Sequence, residues 1–378
     1  MAKPVSVNKL KTRVDDLDEN IKDIKNSLVQ KKPRPQIKHR TYNIELKKAS
    51  INPNFESKTV LTDSTWDYVL TYLIRSSNKE AVFYWEQAKN FYNATLSLDV
   101  ISAPLTTYYC FLNATKALLK SKKVQFDTRH GVSGKRTNGQ FKLQNEIIIL
   151  QTKGVLSGLC SYLGEPVSIK EEYNLKDILY NLVYIHRAHT LTYKNDTELY
   201  IPIFNPKFVF DKYRSEGWFQ FQLEECYSNK QTLNKLVGYS IDRYYENINN
   251  YTLRRNKTFH WETSRNRPTE KSIDSFKKYY KKIRSDMLYI FSPNELWYLK
   301  RKDLSNRIIS RHSMVLTIGA MHRLSELSRY EPQTLKKHLE KEQSWLLREF
   351  INKSILQFVD NISSEITGVD FRQTGFRT

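Results

Sequence analysis

The apolar residues of this 378-residue chain change period twice, and that change restricts the fold more than any single motif does. Between residues 62 and 121 they recur every three to four positions. Ala81, Trp85, Ala88 and Tyr92 fall on one helical stripe, and Leu105, Tyr109, Leu112 and Leu119 on another, with Lys116 set inside it. Ser64 or Thr65 can cap the first of three helices there, and Pro104 sits in the first turn of the third. From 196 to 264 the period drops to two. ELYIPIFNPKFVF, GWFQFQLEE and YTLRRNKTFHWETS alternate polar with aromatic and β-branched residues, as strands do. Beyond Pro268 the helical period returns and persists to Gly368, with one long amphipathic stretch running from Ser305 to Pro332.

The expected fold is therefore α+β and predominantly α, a helical bundle with a small antiparallel β insertion. Four segments follow. Residues 1–40 form an N-terminal amphipathic helix and basic linker, 41–195 a helical domain, 196–265 the β-rich insertion, and 266–378 a C-terminal helical region packing on the first. In the first segment Leu10, Val14, Leu17, Ile21, Ile24 and Leu28 make a coiled-coil-like a/d seam. The seam suits either docking on its own chain or contact with a second copy or a protein partner. Pro33 and Pro35 end it, and KKPRPQIKHR (31–40) reads as a linker.

Net charge is +21, and the excess is local: over 254–302 fourteen Lys and Arg face five Asp and Glu. Such a surplus points to an anionic partner, nucleic acid first, either DNA or RNA. The expected phosphate contacts are Arg254, Arg255, Lys257, Arg265, Arg267, Lys277, Lys278, Lys281 and Lys282. A second group, Arg129, Lys135 and Arg136, lies in the predicted loop TRHGVSGKRTNGQ (128–140) around His130, where Gly131 permits close backbone approach. The alternative for that loop is a solvated basic surface.

Several chemistries are disfavoured. There is no phosphate-binding Gly-x4-Gly-Lys loop, no GxGxxG, no nucleophile elbow and no His-Glu-x-x-His. No cofactor is expected. Cys110, Cys160 and Cys226 have no metal-ligand spacing and read as small buried residues in a reducing compartment. His186 and His189 lack a nearby carboxylate in sequence, so no metal is expected. Without an apolar leader or a membrane-length apolar run, a cytoplasmic location without membrane contact is expected.

Two regions together resemble the YaaC-like family. AKNFYNATLSLDVISAPLTTYYCFLNATKALL followed by RHGVS resembles its N-terminal half; SPNELWYL and IGAMHRLSELSRYEP resemble its C-terminal half, in the same order. The matching positions are Tyr109, Lys116, His130, Gly131, Trp297, Tyr298, Arg329, Tyr330 and Glu331. The resemblance implies HEPN-like helical regions and, through relatives of that type, a component of a prokaryotic phage-defence or related conflict system. Three roles follow: a basic nucleic-acid-binding protein, a metal-independent ribonuclease, or a non-catalytic scaffold that dimerises or holds a partner enzyme.

The spelling Arg-Asn-x-x-x-His of HEPN ribonucleases occurs in RRNKTFH (254–260), but on a strand Arg255 and His260 point to opposite faces. RIISRH offers a better pair. On a predicted helix Arg307 would steady a phosphate, with Arg311 one turn away, while His312 acts as general acid or base. Ile308 stands where those enzymes carry a polar residue. His130 is the second catalytic candidate.

Overall fold

The computed structural model describes residues 34–39, 42–137, 139–242, 250–264, 267–294, 296–304 and 307–373, with scattered positions between 11 and 20. It corrects the fold class. Helix and strand make up 47% and 20%, and a large curled antiparallel sheet replaces the small insertion. The chain is α/β and not a predominantly helical, HEPN-like bundle. Two lobes with separate apolar cores result.

The helical lobe is built on α1 (Thr65–Arg75), α2 (Lys79–Thr95), α3 (Ala103–Ser121), α4 (Val155–Leu163), α6 (Ser313–Tyr330), α7 (Pro332–Leu339) and α8 (Ser344–Thr367). Ser64 caps α1 by accepting from the Asp67 amide at 3.2 Å, as the sequence suggests. Helix α3 is buried nearly all round, which explains its weak amphipathic signature; Phe111 packs on Phe358 of α8 at 4.2 Å between ring centroids. A three-stranded sheet, β1 (Val132–Arg136), β2 (Glu146–Leu150) and β3 (Glu171–Asn174), covers α6. Residues 132–136 are thus a strand where a loop was expected, so Lys135 and Arg136 have fixed directions.

The sheet lobe runs from β4 (Tyr200–Asp211) through β5 (Glu216–Gln222), β6 (Tyr239–Ile241), β7 (Thr252–Arg255) and β8 (Phe259–His260) to β9 (Met287–Ile290) and β10 (Leu296–Lys300). Its order is β9-β10-β4-β5-β7-β6, with β8 also pairing β5, and every pairing is antiparallel. The sheet therefore passes the expected boundary at 265, because β9 and β10 come from a stretch assigned to the C-terminal helices. RRNKTFH is not one continuous strand. Arg254 pairs with Gln220 but Phe259 with Gly217, so two extra residues bulge out between β7 and β8. Gly217 is needed there, since a Cβ would meet the Phe259 ring at 2.5 Å.

Helix α5 (Glu270–Arg284) lies on this sheet through Phe276, Tyr279, Tyr280 and Ile283. Tyr279 Oη accepts from the Phe219 amide at 2.9 Å, and Phe276 meets Phe208 edge-on at 5.0 Å. The basic linker is no free linker either. Ile37 is fully buried, its amide donates to Phe208 O at 2.8 Å, and Arg34 pairs with Asp211 at 2.5 Å. In the N-terminal seam Val14 and Leu17 are helical and exposed; Leu10, Ile21, Ile24 and Leu28 lie outside the described residues. Cys110 and Cys160 are buried, whereas Cys226 is exposed. No helix among the described residues is long and apolar enough to cross a membrane.

A strap, residues 47–51, joins the lobes. Tyr280 Oη donates to Lys47 O at 2.9 Å and accepts from Lys47 N at 3.0 Å. Lys48 Nζ donates to Asp360 Oδ1 at 2.9 Å, while Tyr289 Oη donates to Asp360 Oδ2 at 2.7 Å. The Ser50 and Ile51 amides donate to Glu365. Asp360 is buried, so removing its carboxylate strands the Lys48 ammonium. Asp360→Ala is expected to destabilise the protein by roughly 3–5 kcal/mol, measured as a lowered urea midpoint, the usual loss when one partner of a buried ion pair is deleted.

Candidate functional site

The sequence candidates separate into three places. The first surrounds His130 in the helical lobe. Its Nδ1 lies 2.9 Å from Tyr108 Oη, and its ring meets His322 edge-on at 5.9 Å. Tyr109 stacks on Phe91 at 5.3 Å, and Lys116 Nζ sits 5.2 Å from the Tyr84 ring. Burial first, then Lys116, holds the His130 imidazole below its ordinary pKa. Gly131 and Gly154 (φ +135°) touch through their backbones; a Cβ on Gly154 would come within 2.3 Å of Gly131 Cα. That contact lets the Leu156 amide at the start of α4 donate to His130 O at 3.1 Å.

The second place concerns Arg307 and His312, which do not share a helix. Residues 307–312 are irregular, and α6 begins at Ser313 with His312 as its cap, Nδ1 accepting from the Met314 amide at 3.2 Å. Arg307 is held by Asp177 at 3.0 Å and Asp196 at 2.5 Å. His312 Nε2 faces Ser50 Oγ at 3.1 Å instead. Arg311 pairs with Glu171. The two side chains therefore do not converge on one phosphate. The expected helical period fails here because Ile308 and Ile309 pack toward the lobe junction in irregular backbone.

The third place is the basic surface, which sorts into neutralised and unneutralised parts. Arg129 pairs with Asp127 and Lys135 with Glu172, both at 2.7 Å. Arg136 lies over Phe141 at 4.2 Å and within 3.4 Å of Glu146. Burial alone would raise the Glu146 carboxyl, but His338 and Arg323 hold it below the usual range. These three cations thus belong to structural clusters. Arg255 lies 3.9 Å from Asp286, and Arg254 stacks on Trp218 at 4.0 Å. Lys257 and Arg267 are exposed, and Arg265 lies outside the described residues. Lys277, Lys278, Lys281 and Lys282 are all exposed on the outer face of α5. None of the four makes an ion pair among the described residues.

That lysine face ends at a cleft between the lobes, of about 490 Å³. Arg284, Asp286, Lys300 and Lys302 enter it from the sheet lobe; Glu165, Arg311 and His312 enter from the helical lobe. Lys281 Nζ sits over Gly164, next to Glu165, at the edge of this cleft. Asp286 pairs with Lys302 at 2.8 Å, and Glu165 accepts from the His312 amide at 3.0 Å. Burial raises the Glu165 carboxyl and pushes the Lys300 ammonium down to about 8. Burial and then Arg284 push His312 down to about 3.

A model of the YaaC-like protein family matches residues 22–366, across both lobes and the cleft. The chain belongs to the YaaC-like family. Comparison with curated proteins and with solved structures finds no match.

In this YaaC-like chain the resemblance residues do not form one constellation. Tyr109, Lys116, His130 and Gly131 gather around Tyr108 and His322. Trp297 is buried with Arg284 Cζ at 5.0 Å, and Tyr298 meets the His186 ring at 4.9 Å. Arg329 and Tyr330 are exposed at the end of α6, and Glu331 lies 3.7 Å from Arg323. His186 and His189 lie near Glu198 and Asp196, 3.8 Å and 3.9 Å away. No group of three or more metal-ligating side chains occurs among the described residues.

Sequence reasoning missed Arg284, Lys300, Asp286 and Glu165. One signal was present: Arg284 continues the apolar stripe Phe276, Tyr280 of α5 at four-residue spacing, where an apolar residue is expected.

The buried histidines make stability fall with acid. His186, His189 and His322 are pushed from 6.5 to about 4, chiefly by burial. Between those values the unfolded chain binds more protons than the folded one, so stability declines as pH falls through that window. Each histidine is expected to contribute on the order of 1–2 kcal/mol of loss at pH ~5 relative to pH ~7. Urea midpoints at the two pH values test this, and His322→Gln should flatten part of the dependence.

Proposed function

We propose that this YaaC-like protein binds nucleic acid along the outer face of α5. One observation carries the reading: four lysines share an exposed helix face and have no carboxylate partner among the described residues. A helix keeps like charges at three- and four-residue spacing at some cost in self-repulsion. A polyanion removes that repulsion and releases counterions as it docks. Lys257 and Arg267 are exposed as well, while Arg254, stacked on Trp218, is half-buried. Arg129, Lys135 and Arg136 are left out of the interface, because each lies beside a carboxylate, Asp127, Glu172 and Glu146 respectively.

Binding is expected to weaken steeply with salt. Each phosphate contact contributes a slope of about −0.9 in a plot of log affinity against log salt. Replacing Lys277, Lys278, Lys281 and Lys282 together by Gln should lower the slope by about 3–4 and weaken binding at low salt. Filter binding of an oligonucleotide across a salt series measures both. Replacing Arg129 and Lys135 by Gln should leave the slope unchanged. An unaltered slope in the four-lysine variant removes α5 from the interface.

A further inference from the structure

We propose that the cleft between the lobes is a binding site for a phosphomonoester, up to the size of a mononucleotide. This reading is independent of the lysine face on α5. It starts from two cations that line the cleft and make no ion pair within 4.0 Å among the described residues. Arg284 is 4% exposed, donates to the Met287 and Lys48 carbonyls, and keeps a buried Nε with no hydrogen-bond partner. Lys300 Nζ donates to Ile309 O at 2.8 Å and has two further N–H donors. Among the described residues no carboxylate lies within 4.0 Å of either cation.

Holding such charges out of water is costly unless opposite charge is supplied. The two carboxylates of the cleft act on Lys300 only from beyond ion-pair distance. Asp286 is taken by Lys302, and Glu165 by the His312 amide. Glu165 is also biased toward its neutral form by burial. A bound anion would complete the balance.

The shape of the cleft selects among anions. Arg284 and Lys300 stand on the sheet-lobe side, while Ser310, just ahead of the cap, and Ser313, the first residue of the eighteen-residue helix α6, line the helical-lobe side. A helix N-terminus favours an anion, and here it stands with two cations that make no ion pair among the described residues. A phosphomonoester carries up to two negative charges and three terminal oxygens, enough to satisfy donors from both lobes at once. The volume of 490 Å³ falls within the range of ~300–1,000 Å³ for ligand pockets and leaves room beyond a phosphate group. Leu288, Ile308 and Ile309 give that remaining space an apolar wall suited to a sugar or base.

Isothermal titration calorimetry of the full chain tests the assignment with inorganic phosphate, adenosine 5′-monophosphate and adenosine. Phosphate and the monophosphate should bind, and adenosine should not. Lys300→Met should weaken monophosphate binding by about tenfold or more, with circular dichroism and the unfolding midpoint showing an intact fold. Arg284→Gln should do the same; because Arg284 also holds two carbonyls, Lys300→Met decides the matter if the Arg284 variant fails to fold. A 5′-phosphorylated oligonucleotide binding more tightly than its 5′-hydroxyl counterpart assigns the phosphate to a nucleic-acid end. Equal binding of the two, with the monophosphate still bound, assigns it to a free phosphorylated ligand. Absence of heat with both phosphate and the monophosphate overturns the proposal, as does unchanged monophosphate affinity in a folded Lys300→Met variant.

Discussion

The architecture depends on a short run of backbone, residues 47–51, held by buried carboxylates at the end of α8. Lys48 N and Lys48 Nζ reach Asp370 and Asp360, and the Ser50 and Ile51 amides reach Glu365. From the other lobe Tyr280 brackets Lys47, and Arg284 reaches Lys48 O. From α4 Tyr162 donates to Glu365 at 3.0 Å, and from the cap of α6 His312 faces Ser50. The strap thus joins the lobes through polar groups, alongside an apolar cluster that includes Tyr180, Val183, Tyr200 and Leu288. Buried polar contacts of this kind fix geometry more sharply than apolar contact does, because each unpaired group carries its own penalty. The cleft inherits that precision, since Arg284 and His312 belong both to the strap's partners and to the cleft's lining.

A net charge of +21 is a weak guide to where an anion binds. Many of the cations are structural. Arg323 and His338 serve the buried Glu146, Arg307 serves two aspartates, and Arg301 serves Asp303. Among the cations that make no ion pair among the described residues are the outer lysines of α5 and, in the cleft, Arg284 and Lys300. A linear count cannot separate these groups, because pairing partners come from distant positions. Lys135 is 37 residues from Glu172, and Arg323 is 177 from Glu146.

Much of the helical lobe could be read from local signals. Ser64 and Pro104 mark helix starts where the structure has them. The sheet lobe was underestimated for a physical reason. Its strands β9 and β10 are only four and five residues long and follow a helix with a strong periodic pattern, so a helical reading absorbed them. The same bias extended α6 backward over Arg307, since Ile308 and Ile309 sit at helical spacing from Val315 and Leu316. The site was harder to read than the fold. Glu165 lies more than a hundred residues before Arg284, Lys300 and His312, and the four meet only where the lobes meet.

Helix α5 shows how one element links these levels. Its inner face gives Phe276, Tyr279 and Tyr280 to the sheet core, its outer face carries the lysines, and its last residue, Arg284, enters the cleft. An anion bound at Arg284 and Lys300 would also touch the start of α6, so it would bridge the two lobes. Binding that engages both lobes stabilises their docked arrangement by mass action, since the ligand has no comparable site on either lobe alone. By the same linkage, a ligand engaging Arg284 and Lys300 would strengthen the junction that the strap holds.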